Sequence, residues 1–204
     1  MQKINPFLWF DEQAEEAVEF YTSLFDNSAI VDTSRYTELG PRPEGTVMTL
    51  NFRLAGQHFI ALNGGPEFTF SPAISFYVHC DTEAELEGLW QALSEGGTVL
   101  MELGQYPFSS LFGWVQDRYG VSWQLNLGGR TQKITPFLTF VGEQHGRAEQ
   151  AVKDYVCLFQ NTDIDHLERY DSGEPGAEGT LKHATFRLEG QEFMAIDAGL
   201  EHAF

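Results

Sequence analysis

The chain has 204 residues, 30 acidic and 12 basic, for a net charge of −18. That balance lacks the basic footprint of a nucleic-acid binder and argues against adsorption to an anionic membrane. Hydrophobic residues make up 42%, and 17 Phe predict a core or pocket built from aromatic rings.

In chain order, Ile4–Phe10 is an apolar run of strand length. From Asp11 to Phe25, the residues Ala14, Ala17, Val18, Tyr21, Leu24 and Phe25 recur at helical spacing, and Asp11 and Glu12 suit the positive end of a helix. Ala29–Tyr36 reads as a strand. Thr46–Leu54 and Gln57–Leu62 alternate around Ala55-Gly56 and predict a hairpin. The order then repeats with different residues. Ala73–Cys80 alternates as a strand. Thr82 and Glu85 form a capping box before a helix with the stripe Leu86, Leu89, Trp90 and Leu93, which Gly96-Gly97 ends. Thr98–Met101, Phe112–Gln116 and Val121–Leu127 follow as strands, the last two joined by the turn Asp117–Gly120.

A third unit restarts at Ile134 and copies the first. Ile4-Asn5-Pro6-Phe7-Leu8-Trp9-Phe10 recurs as Ile134-Thr135-Pro136-Phe137-Leu138-Thr139-Phe140. Arg35-Tyr36, Gly45-Thr46 and Phe52-Arg53-Leu54 recur as Arg169-Tyr170, Gly179-Thr180 and Phe186-Arg187-Leu188, at an offset of 134 after a four-residue insertion near His145. The expected organisation is a complete domain over 1–128 made of two modules (4–70 and 71–128), a linker at 129–133, and a third module at 134–204. Recurrence of Arg35 and Arg53 as Arg169 and Arg187 predicts structural ion pairs. Cys80 and Cys157 lack metal-ligand spacing and read as buried free thiols. No basic stretch precedes an apolar core at the N-terminus, and no apolar run approaches the roughly 18–20 residues of a membrane span. A cytoplasmic protein is expected.

The string Gly113-Trp114-Val115-Gln116-Asp117-Arg118-Tyr119-Gly120-Val121-Ser122-Trp123-Gln124-Leu125 is the most specific in the chain. With Pro72-Ala73-Ile74-Ser75-Phe76, and with Pro6–Phe10 leading into Ala14-Glu15-Glu16-Ala17, it resembles the vicinal-oxygen-chelate or glyoxalase–bleomycin-resistance superfamily. Within that superfamily the likeness is to the PhnB-like branch, whose domain carries the label 3-demethylubiquinone-9 3-methyltransferase-like. The resemblance implies an α+β fold in which paired βαβββ modules curve an antiparallel-rich mixed sheet into a cup, with helices outside. Enzymes of the superfamily hold a divalent metal in the cup. Here the resemblance puts Asn5, Ser75, Ala61 and Gln124 at the usual ligand positions, with Thr135 and Ala195 at those of the third module. Ala61 and Ala195 cannot ligate, and Asn5 and Ser75 are poor donors. No metal and no cofactor are therefore expected. The methyltransferase label finds no doubly wound nucleotide-binding pattern in this chain.

Strand alternation groups Asn5, Phe7 and Trp9; Phe59, Ala61 and Asn63; Ser75, Tyr77 and His79; and Gln124 with its neighbours. In the resembled fold these residues line the cup of modules one and two. Asn5, Phe7, Trp9, Phe59, Ala61, Ser75, Tyr77 and Gln124 are then the expected ligand-binding set, suited to a small organic molecule. The same rings could instead fill the cup as core. His79 is a candidate general base, set against a surface or capping role at its strand end. The leading expectation is a metal-free binding protein without catalysis. The alternative is a lyase, isomerase or dioxygenase with nonstandard metal ligands. The third module, with no fourth to cover its sheet face, predicts a homodimer through that module.

Overall fold

A computed structural model of the chain describes residues 2–199. Each module folds as strand, helix and three strands, because a seven-residue apolar run is followed by an eleven- or twelve-residue amphipathic one. The first contains β1 (Phe7–Phe10), α1 (Ala14–Leu24), β2 (Ala29–Arg35), β3 (Val47–Leu54) and β4 (Gln57–Asn63). The second contains β5 (Ile74–Cys80), α2 (Glu83–Ser94), β6 (Thr98–Tyr106), β7 (Ser109–Gln116) and β8 (Ser122–Leu127). The third contains β9 (Ile134–Phe140), α3 (Ala148–Leu158), β10 (Asp163–Arg169), β11 (Leu181–Leu188) and β12 (Gln191–Asp197).

The helices start as the chemistry asks, by two routes. Thr82 caps α2 by accepting from the Glu85 N–H at 3.2 Å, and Glu85 reciprocates by accepting from the Asp81 N–H at 2.8 Å. In the other two modules the last strand supplies the cap. Asn63 on β4 accepts from the Ala14 N–H at 2.8 Å, and its copy Asp197 on β12 accepts from Gly146 N–H at 2.7 Å. Strands β6 and β7 run longer than alternation predicts. Register shifts between Val99 and Met101, Met101 and Gly104, and Gly104 and Tyr106 break the period of two while the backbone stays extended.

Modules two and three share one sheet, in the order β10-β11-β12-β9-β5-β8-β7-β6, whereas module one keeps a separate sheet, β1-β4-β3-β2. The seam is an antiparallel β5–β9 pair, with Ser75 opposite Phe137, Phe76 opposite Pro136 and Tyr77 opposite Thr135. This corrects the expected pairing of modules one and two around a cup, and the expectation that module three lacks a partner. Modules one and two are joined instead through a common core on their helix sides. There Tyr21 meets Trp123 at 5.3 Å between ring centres, and Phe59 meets Phe76 at 5.4 Å. Module three has a smaller core of its own around Val152, Leu181 and Phe186.

The recurrent arginines are structural, as read, at three of four positions. Arg35 faces Glu15, and Arg169 faces the equivalent Glu149 at 2.5 Å. Arg187 pairs with Asp165. The counterpart of Asp165 in module one is Val31, so Arg53 has no such partner on β2. Cys80 is buried, but Cys157 is exposed, contrary to expectation, because it sits on the outer side of α3.

Candidate functional site

The expected ligand-binding set divides among three places. Ser75, Tyr77 and Gln124, together with His79, lie on the helix-free face of the eight-stranded sheet. Alternation along β5 and β8 sends Phe76, Val78, Trp123 and Leu125 to the helix side and the polar neighbours to the other. Phe59 and Ala61 are in the core shared by modules one and two, 1% and 0% exposed, so they line no open face. Asn63 is likewise turned inward to cap α1. Asn5 and Phe7 border a groove at the free edge of β1. Trp9 lies on the open face of module one, where its indole N–H donates to the Gly65 carbonyl at 2.8 Å and Phe68 meets it edge-on. Trp9, Phe59, Tyr77 and Gln124 therefore do not surround one cavity.

The helix-free face of modules two and three is still almost closed to solvent. Ser75, His79, Trp114, Phe112, Gln124, Thr135, Phe137, Thr139 and Met194 are all buried, although no helix covers them. The strands must curl so that their own side chains meet. Tyr77 stacks on Phe137 across the seam with ring centres 5.8 Å apart, and Phe112 lies 6.1 Å away on the other side. Beneath the rings the Gln124 side-chain amide donates to the Ser75 hydroxyl at 2.8 Å, and the Trp114 indole donates to Ser122 at 2.8 Å. His79 Nε2 lies 3.3 Å from the Thr135 hydroxyl, and the hydroxyl of Thr139 is buried without a hydrogen-bond partner.

The electrostatics of this face are set by burial. His79 is 3% exposed, which corrects its expected surface or capping role. Burial pushes its imidazole down to about 4, helped by the positive charges of Arg130 and Lys133, against a backbone hydrogen bond at Gly128. His183 on β11 is held down to about 4, again by burial first and then by the neighbouring His166. The Tyr77 hydroxyl is raised by burial and keeps its proton. A neutral imidazole this weakly basic makes a poor general base near neutral pH. Alternation within β7 and β9 could have placed Phe112, Trp114, Phe137 and Thr139 on this face from sequence; the pairing of β5 with β9 could not be read there.

The fold family implies a divalent metal between paired modules, and the residues present do not fit one. Ala61 and Ala195 face the cores, Asn5 precedes β1 of the other sheet, and the Gln124 amide nitrogen is aimed at Ser75. Among the described residues no group of three or more His, Cys, Asp or Glu is placed to hold an ion.

Two sequence segments, residues 2–126 and 132–204, match the family described as 3-demethylubiquinone-9 3-methyltransferase. The chain belongs to this family. The PhnB protein of Bacillus cereus is similar at 53% identity over 62% of this chain and 100% of its own, with a TM-score of 0.60. Protein PA1353 of Pseudomonas aeruginosa is 26% identical over 63% of this chain and 98% of its own, with a TM-score of 0.53. Glyoxalase I from Zea mays shares the fold alone, at 12% identity over 98% of this chain and 69% of its own, with a TM-score of 0.63. No curated protein matches the chain. The PhnB-like family read from Gly113–Leu125 is thus the right one, and its fold is glyoxalase-like. The parallel pairs β1–β4, β5–β8 and β9–β12 are single pairs inside otherwise antiparallel sheets, which is not the doubly wound parallel sheet of a dinucleotide site. No helix among the described residues is long and apolar enough to cross a membrane.

Proposed function

We propose that the chain binds a small, flat, uncharged organic molecule on the ring-lined face of modules two and three, without a metal and without catalysing its conversion. The observation that carries this reading is the ring cluster itself: Tyr77 stacks on Phe137 with centres 5.8 Å apart, Phe112 lies 6.1 Å away, and burial holds the adjacent His79 neutral. A cationic ligand would meet the positive charge of Arg130, which bears on Tyr77, His79 and His183, and would lose its hydration. A neutral aromatic ligand would find the half-buried Tyr77 and the exposed Phe108 to stack on, with Phe112 and Phe137 packed behind them. The buried, unpartnered Thr139 hydroxyl offers it a hydrogen bond. This differs from the expected binding set by replacing Asn5, Phe7, Trp9, Phe59 and Ala61 with Phe112, Phe137 and Thr139.

Tryptophan quenching by a neutral naphthoquinone tests the proposal. The chain has four Trp, and Trp114 is the one on this face. Saturable quenching should persist in Trp9→Phe and disappear in Trp114→Phe. Quenching that never saturates, or that disappears in Trp9→Phe instead, would defeat the reading.

A further inference from the structure

On the helix side of the eight-stranded sheet, α2 packs on β7 and β8, and α3 packs on β11 and β12. The β5–β9 seam lies between them, and residues 4–8, which lead into β1, run past it. A groove of about 430 Å³ remains there. That volume is in the range of small-molecule sites, roughly 300–1,000 Å³. Its walls include Leu8, Ile74, Phe76, Pro136, Leu138 and Phe193, and none of the described residues lining it is charged. Ile74 and Phe7, which also line it, are 61% and 52% exposed, so the groove is open to solvent.

One polar side chain in this wall is out of place. Gln191, the first residue of β12, borders the groove, and both the oxygen and the nitrogen of its amide are shielded from water without a hydrogen-bond partner. The internal repeat shows what such a group can hold. Its copy Gln57, the first residue of β4, accepts from the Ile134 N–H at 3.0 Å through Oε1. Ile134 opens module three, and its own copy is Ile4, which lines the groove. The equivalent bond from Ile4 N–H to Gln191 is not made. One glutamine of the pair is thus filled by a peptide N–H, while the other stands empty beside an open apolar groove.

We propose that this groove is a second binding site, for a neutral apolar molecule that carries an unsubstituted lactam or a primary carboxamide. The Gln191 amide offers an acceptor and a donor side by side. A ketone or ester would satisfy only its nitrogen. A carboxylate would leave Oε1 unpaired and bring a charge to a groove without a cation. A lactam presents N–H and C=O on one edge and satisfies both atoms in a single planar pair. The terminal torsion of Gln is soft, so the amide can turn that edge to a ligand seated in the groove. An unpaired buried amide is costly, and a ligand that supplies both partners removes the cost. The rest of the molecule covers the apolar walls. The groove lies on the opposite side of the sheet from the ring-lined face and shares no residue with the site proposed there.

Titration of the ¹⁵N-labelled full chain with 2-quinolone, followed by NMR, tests the proposal, with N-methyl-2-quinolone as the control that lacks the N–H. Saturable shifts should appear at the Gln191 side-chain amide and at the backbone amides of Ile4, Asn5 and Phe7. 2-Quinolone should bind about tenfold more tightly than its N-methyl derivative. Gln191→Leu should erase that difference, and Ile74→Glu, at an exposed position, should abolish both titrations with the circular dichroism spectrum unchanged. Trp114→Phe should leave the titration as it is, which separates this site from the ring-lined face. Equal affinities for the two quinolones would overturn the proposal. So would shifts confined to the surroundings of Tyr77 and Trp114, or an Ile4 N–H protected from exchange in the free protein, since Ile4 would then occupy Gln191 itself.

Discussion

Replacing Asp117 should cost this protein more than any other single change to a polar side chain in the described core. Asp117 is 4% exposed and receives four hydrogen bonds. Oδ1 accepts from the Tyr119 and Val121 N–H groups at 2.9 and 3.0 Å; Oδ2 accepts from the Tyr21 hydroxyl at 2.7 Å and the Trp123 indole at 2.8 Å. Tyr21 belongs to α1 and Trp123 to β8, so one carboxylate joins modules one and two. Asp117→Ala strips all four donors. The Tyr21 hydroxyl can rotate, but the indole and the two backbone N–H groups cannot turn elsewhere. Each buried donor left unpaired costs about 1–3 kcal/mol. Removing a carboxyl whose own burial is unfavourable, since burial raises its proton affinity, returns part of this. A net loss of about 3–5 kcal/mol is expected. Asp117→Asn keeps one oxygen for the two backbone donors and sets an NH₂ group against Tyr21 and Trp123. Tyr21 can then accept, but Trp123 can only donate, so the loss should be about 1–3 kcal/mol. Urea unfolding followed by fluorescence gives both numbers. An Asp117→Ala protein within about 1 kcal/mol of the parent, or an Asn variant less stable than the Ala one, would refute the reasoning.

Acid should destabilise the fold through its buried imidazoles. His79 is depressed to about 4 when folded, so the unfolded chain takes up its proton first, near the ordinary value of about 6.5. The His79 contribution is complete above that value and falls away as the pH drops towards 4. The expected loss from His79 alone between pH 7.5 and 5 is about 2 kcal/mol, and His79→Asn should flatten that part of the urea-derived stability profile. Gln124→Leu should cost about 1–3 kcal/mol by leaving the buried Ser75 hydroxyl without its donor, and adding Ser75→Ala should restore most of it in the same denaturation assay. Gly97→Ala should lower stability by about 1–3 kcal/mol, read as a fall in melting temperature, because the new Cβ would lie 2.4 Å from the Gln116 carbonyl oxygen and 3.0 Å from that of Leu93, backbone atoms with little room to move.

The modules were legible because their information is local. The period of α1, the capping box at Thr82 and Glu85, and the hairpin at Ala55-Gly56 each lie within a few residues of the structure they specify. The orientation of β4 was not legible, because Phe59, Ala61 and Asn63 alternate with Ile60 and Leu62, and a strand apolar on both faces does not announce which one meets the helix. Asp117 shows the same limit. Its place in a tight turn is evident from Asp117-Arg118-Tyr119-Gly120, yet its task is set by Tyr21, 96 residues earlier in the chain.

Sheet pairing is where the reading failed, and the repeat itself explains why. β1 and β9 carry nearly the same residues and so have the same capacity to pair. Neither sequence encodes which neighbour will reach it first. Modules one and two look like the natural pair because they are consecutive, but α1 brings its apolar stripe to Trp123 and Phe76 through the helix side, which leaves the β5 edge open. The linker between β8 and β9, residues 128–133, then returns the chain beside β5, and module three takes that edge. His79 becomes buried, and Phe137 becomes the floor for Tyr77, through this one choice. Every misplaced site residue follows from it or from the β4 orientation. The character of the candidate site, aromatic and neutral, survived because it depends on residue type, whereas its membership depends on which edges meet.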